Sequence, residues 1–142
     1  MSARTMIMKE DIIVVEDVTE NDSDKTFTVP ANEIWEILTL HVKLISTATV
    51  GTRQIGVEIQ NVGGDVMYAI AAVPTQVASL TQTYNFAQGG ADRSGLVANR
   101  ALSNLARLKL TPGMIVRVLD FAVADVAADD MDVRMLILKT EL

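Results

Sequence analysis

Apolar residues recur at every second position along much of this chain. In "RQIGVEIQ", Arg53 to Gln60, Ile55, Val57 and Ile59 alternate with smaller or polar neighbours. Leu38, Leu40, Val42 and Leu44 alternate with Thr39, His41 and Lys43. Val133, Met135 and Ile137 do the same with Asp132, Arg134 and Leu136. Period two is the signature of a half-buried strand, with one face on a core. Shorter runs add to the set. Ile12 to Val15 lies between close charges and reads as an edge strand, and Lys25 to Pro30 carries Phe27 and Val29 on one face. "VMYAIAAV", Val66 to Val73, returns after the hairpin signal Asn61 to Asp65, and Pro74 ends it. Gln76 to Phe86 is a further strand candidate. "RLKL" and "MIVRVLDF" flank Pro112-Gly113, which suits the centre of a type II turn.

Two segments read less simply. "VPANEIWEILTLHVKLIS" has a helix-like start at Pro30 and Glu33, but its later alternation favours one long strand from Glu33 to Ser46. On that reading Trp35 and Ile37 fall on the otherwise polar face. Ala87 to Ala106 opens Gly-rich, and its second half places Leu96, Arg100 and Asn104 at helical spacing, enough for one short helix. The sum is eight or nine short strands and at most one short helix. That predicts an all-β, single-domain antiparallel β-sandwich. Residues 1–24 form an N-terminal arm and first edge strand, and 25–142 form the sandwich.

Composition narrows the function classes. A net charge of −6 with no basic stripe argues against nucleic acid and against an anionic membrane surface. No apolar run is long enough for a helical span, and the first ten residues lack a signal-peptide core. Cysteine is absent, which excludes disulfide and thiolate chemistry. His41 is the only histidine, too few for a multi-histidine metal set and without a visible nucleophile to serve. Glu36 and Glu58 would make a carboxylate pair only if their strands align. Five aspartates crowd Asp120 to Asp132, yet the calcium-loop spacing is missing. Asp120 and Asp132 read as strand ends. Asp125, Asp129 and Asp130 read as water-facing or as caps on local amides. Arg117 and Arg134 read as partners for Asp132 or Asp120 across neighbouring strands, with Arg53 also inside a strand pattern. No metal, cofactor or catalytic set is expected. Trp35, Tyr68 and Tyr84 suit either core packing or a subunit interface.

The order "VPANEIWEIL", "GTRQIGVEI", the Gly-rich hairpin, then "LTPGMIVRVLD" resembles accessory virion proteins of tailed phages. The likeness runs from about Phe27 to Ile137 and is nearest to the capsid decoration or cement type, with a jelly-roll-like sandwich. The resemblance implies a non-enzymatic homo-oligomer, a trimer in such proteins, that binds the major capsid protein lattice. The protein would sit on the capsid surface of the virion, and in the host cytoplasm during assembly. Contacts would come from an N-terminal arm, with Met6 and Met8, and from the loop carrying Gly89, Gly90 and Arg93. The competing reading is a receptor- or carbohydrate-binding sandwich of a phage tail or fibre. It calls for an exposed aromatic platform near Trp35 or Tyr68. A small enzyme on a cupin-like barrel is the third reading, and the single histidine weighs against it.

Overall fold

The computed structural model describes residues 8–89, 93–125 and 127–142, and the side chains of 93–97 lie outside that description. Met6 and Gly90, and the Arg93 side chain, therefore fall outside the described residues. Eleven strands follow in order: β1 (Lys9–Asp17), β2 (Asp24–Thr28), β3 (Glu33–Ile45), β4 (Ile55–Gln60), β5 (Val66–Ala71), β6 (Thr81–Gln88), β7 (Arg93–Val97), β8 (Arg100–Leu105), β9 (Lys109–Leu110), β10 (Ile115–Asp120) and β11 (Asp130–Glu141). One sheet runs β1-β11-β3-β6-β8-β7, with β9 also on β3, and the other runs β2-β10-β4-β5. The chain is an all-β sandwich. With β7 to β9 set aside as an insertion, the eight remaining strands pair first-eighth-third-sixth and second-seventh-fourth-fifth. That is the double Greek-key order of a jelly roll. Among the described residues every strand pairing is antiparallel except β6 with β8.

The core fills from both sheets: Leu40, Val42, Leu44, Val133, Met135 and Ile137 from one, Ile55, Val57, Ile59, Val116 and Val118 from the other. Sheets stand about 10 Å apart, so side chains must interdigitate closely. Gly56 alternates with the core-facing Ile55 and Val57, so it faces the outside of its sheet, where Phe121 covers it. A Cβ there would lie 1.9 Å from Phe121 Cε2, so the ring occupies the space a side chain would need. The turn before β10 is the one the sequence predicts. Gly113 has φ 86°, and the Met114 amide donates to the Thr111 carbonyl across 3.1 Å.

Three expectations change. Trp35 and Ile37 point into the core, not onto the polar face. The cause is a β-bulge. Leu136 faces Thr39 and Ile137 faces Ile37, so Leu38 has no partner on β11 and the alternation shifts by one. The expected helix between Gly95 and Ala106 is instead a hairpin, β7 and β8. Its two turn residues, Ala98 and Asn99, have φ 51° and 61°, the pair of positive angles that a two-residue hairpin loop requires. Ala101, Ser103 and Leu105 then point inward at period two. The strand expected from Gln76 begins only at Thr81, and Gln76 makes an isolated bridge to Arg53.

Candidate partner-binding surface

Strand order gathers four connections at one end of the sandwich: 18–23, 46–54, 72–80 and 121–129. Each carries exposed apolar side chains. Val50 is 93% exposed, Val123 65%, Val77 54%, and Val18, Val73 and Leu80 are also open. Scattered surface valines are ordinary, but a group at one end is a candidate contact surface. Val50, Gly51, Thr52, Val77 and Ala78 line a recess of about 290 Å³ there, and Asp24, Arg117, Asp120 and Val123 help line a second of about 210 Å³.

A buried polar network holds these loops. Arg53 and Asp129 are both wholly buried and make a two-pronged ion pair, with Nε to Oδ2 at 2.8 Å and Nη2 to Oδ1 at 3.1 Å. The remaining guanidinium donor Nη1 reaches the carbonyls of Thr49 and Gly51, at 3.0 and 2.8 Å. Asp129 also accepts from the Thr47 amide at 2.8 Å. Burying an ion pair is costly unless its donors and acceptors are filled, and here they are filled by loop backbone. The hydrogen bond to Asp129 holds the Arg53 guanidinium above its usual pKa, against the opposing effect of burial. The Arg53 and Gln76 backbones exchange hydrogen bonds of 2.7 and 2.9 Å, which ties in the loop 72–80. Gln76 Nε2 donates to the Leu44 and Leu80 carbonyls, and Gln76 Oε1 accepts from the Tyr84 hydroxyl at 3.0 Å. Burial pushes the Tyr84 phenol well above its usual pKa, so it acts as a neutral donor.

The aspartates complete the frame. Asp120 is buried and accepts from the amides of Gln54, Ala122 and Ala124 at 2.8, 2.9 and 3.1 Å. Asp125 accepts from the Thr47 hydroxyl, and hydrogen bonds from Thr47 and Thr49 hold its carboxyl below the usual range. Asp129 is thus not a water-facing residue, and Asp120 caps backbone as well as ending a strand. Asp132 pairs with Lys43 at 3.5 Å, and its Oδ1 is buried without a partner. Among the described residues no three His, Asp or Glu side chains converge as a metal site. The loop 18–23 encloses a cation of its own: the buried Lys25 ammonium donates to the Thr19 carbonyl and Asn21 Oδ1, both at 2.6 Å.

The network leaves strain at the surface. Val123 has φ 55° and Ser79 φ 59°. A β-branched residue in the left-handed region is unusual, and such strain persists only where the surroundings fix it. Valine at this tip is held against its own backbone preference.

The other residues singled out by sequence fall elsewhere. Met8 and Gly89 lie toward the opposite end, where β1 meets the C-terminal part of β11 and β6 ends. Both are exposed, and Gly89 has φ 63° with nothing within 4 Å of a Cβ placed there. Trp35 and Tyr84 are enclosed by the protomer's own core, so of their two readings packing is the one seen. Tyr68 is half-buried, and its hydroxyl accepts from the Ala106 amide at 3.2 Å. Arg117 pairs with Asp24 and Glu58, and Arg134 with Glu16, not with Asp132 or Asp120, because β10 and β11 lie in different sheets, Asp132 meets Lys43 and Asp120 holds loop amides. Glu36 and Glu58 lie on different sheets and each faces an arginine. His41 Nδ1 lies 2.7 Å from Asn85 Oδ1 on the outer face. Sequence reasoning missed the loop tips. The available signal was three isolated valines in "TATVGT", "PTQVASL" and "FAVADV", a β-branched residue where turns favour Gly, Asn or Asp.

No family model matches the chain, and no curated protein matches its sequence. Among solved structures, one chain of "Structure of infectious bursal disease virus Gx strain" is similar over 94% of this chain at 4% identity, with a TM-score of 0.33. This chain spans 32% of that viral chain. The "EclA C-terminal domain; sugar-binding protein" is similar over 92% of this chain and 79% of its own length, at 17% identity and a TM-score of 0.27. Neither likeness is close enough to carry a functional assignment.

Proposed function

We propose that this chain is a non-enzymatic virion protein that binds and stabilises an assembled phage capsid, and that the valine-tipped loop end is the surface it presents to the major capsid protein. The observation that carries this reading is the contrast between tips and frame. Exposed valines stand on loops frozen by a buried ion pair, with Val123 kept in a strained conformation. Loops that need only join strands have no use for that cost. Loops that must arrive at a partner already shaped lose less entropy on binding. The motif order described above supports the virion setting. The carbohydrate-binding alternative needs an aromatic platform, and none of the six aromatic residues is exposed.

Co-sedimentation with shells assembled from a tailed-phage major capsid protein of the same particle tests the reading. The triple variant Val50→Ser, Val77→Ser, Val123→Ser should keep its circular dichroism spectrum and lose shell binding. Val123→Gly should fold at least as stably, by about 1 kcal/mol, because it releases a strained φ, yet bind more weakly. Deleting Met1 to Glu10 tests the opposite end. If that deletion abolishes binding while the valine variants bind like the parent, the contact belongs to the arm. If the parent never binds shells, the capsid reading fails.

A further inference from the structure

Among the described residues five strands have a free side: β1, β7 and the two-residue β9 on one sheet, β2 and β5 on the other. Four contain charged residues: Lys9, Glu10, Asp11, Glu16 and Asp17 in β1, Asp24 and Lys25 in β2, Arg93 in β7 and Lys109 in β9. Charged edges resist pairing with another chain. β5 is different. From Val66 to Val73 it has no charged residue, and Val66 and Met67 are exposed at 52% and 64%.

The main chain of β5 is also poised. The Ala72 amide donates to the Ile55 carbonyl at 2.8 Å. By antiparallel alternation, Ile70 with Val57 and Tyr68 with Ile59 are then the hydrogen-bonded pairs. The N–H and C=O groups of Ala69 and Ala71 therefore face outward, and a methyl side chain shields neither. Tyr68 and Ile70 pack against the core but remain partly open at this edge. The edge is bounded by a bulge at Met67 and by Pro74.

We propose that a second copy of this chain adds to β5, antiparallel across a two-fold axis centred on Ile70. Ala69 of one copy would pair with Ala71 of the other, both ways. The two four-stranded sheets would join into one of eight strands, and Ile70 would meet its own copy on the core face. The occupant is a second copy because the edge is self-complementary: about Ile70, the outward main-chain groups of Ala69 and Ala71 meet their counterparts on another copy. Chains of net charge −6 repel one another, and this is the edge where two copies approach without opposing like charges. The contact is isologous, so it yields pairs. A trimer of the kind the resemblance implies would use another surface. The inference does not depend on shell binding.

The chain has no cysteine, so a single introduced thiol is a clean reporter. Facing residues in a non-hydrogen-bonded antiparallel pair have Cα atoms about 4.5 Å apart, within disulfide reach. Under oxidised glutathione, the Ile70→Cys chain should form a disulfide-linked dimer. The Val50→Cys chain, whose site is more exposed but lies at the loop end, should do so at least ~10-fold more slowly, since it lacks the effective concentration of a paired edge. Adding Ala69→Asp to Ile70→Cys should abolish the rapid cross-link with an unchanged circular dichroism spectrum. Equal rates for the two thiols, or a rapid cross-link that survives Ala69→Asp, would overturn the proposal. Should Ile70→Cys not fold, sedimentation velocity of the parent and of Ala69→Asp decides. A dimer lost on Ala69→Asp supports the contact, and a monomeric parent or an unchanged oligomer rejects it. Lost shell binding with an intact cross-link would count against the capsid reading alone.

Discussion

At the residue scale, Arg53 and Asp129 carry the most consequence. Seventy-six positions separate them in sequence, and each is wholly buried. Neither fact was legible beforehand. Arg53 sits beside an alternating strand pattern, and Asp129 sits among acids that look solvated. What decides their fate is the closing of two loops that no local pattern connects. Removing one partner leaves the other charge buried and unpaired. Arg53→Met or Asp129→Leu alone should therefore cost about 3–5 kcal/mol. The double variant should recover much of that loss, because a well-packed apolar pair removes both desolvation penalties together. Urea unfolding of the four chains measures the coupling, and additive losses would show that the pair does not act as a unit. The double variant carries a second readout. If the pair is kept for loop shape, the recovered chain should be stable and still bind shells poorly.

At the element scale the strands were largely legible, because period two appears wherever one face is buried. The failures are single-residue events. Leu38 offers no local sign that it is a bulge, and its apolar side chain fits the alternation it breaks. The hairpin of β7 and β8 was hidden because its turn is Ala98-Asn99. A glycine there would have announced the positive φ angles, and alanine does not. The loop tips were missed for a related reason, since turn residues were read by polarity. The bulge has a sharp consequence. Deleting Leu38 joins Ile37 directly to Thr39, whose partners on β11 are already successive residues, so the bulge closes and Trp35 and Ile37 stay in the core. The deletion should therefore cost far less than Ile37→Ala one position away, which empties buried volume and costs about 2–5 kcal/mol. Chemical denaturation of both variants checks this. A deletion as costly as Ile37→Ala would mean that the bulge itself is required, not merely accommodated.

At the scale of the whole molecule, the sandwich was foreseeable from strand density. The strand order was not, since pairing such as β1 with β11 joins the two ends of the sequence. That order is what brings four loops to one end, and the proposed contact surface exists only through it. Net charge then sets how the surface should behave. The chain carries −6 overall, while the tips offer Val50, Val77 and Val123. If those tips make the contact, binding is driven by apolar burial and opposed or merely tuned by long-range charge. Raising salt shortens the screening length, to ~3 Å near 1 M, and weakens exposed ionic contacts first. Shell binding should then hold steady or strengthen as sodium chloride rises, and sulfate should strengthen it further by favouring apolar burial. Were the contact instead made by exposed acids on a basic shell, affinity would fall steeply over the same range. Co-sedimentation across a salt series separates the two outcomes. Repeating it with the triple valine variant is the internal control: any binding that remains should be weak and should fade as salt rises.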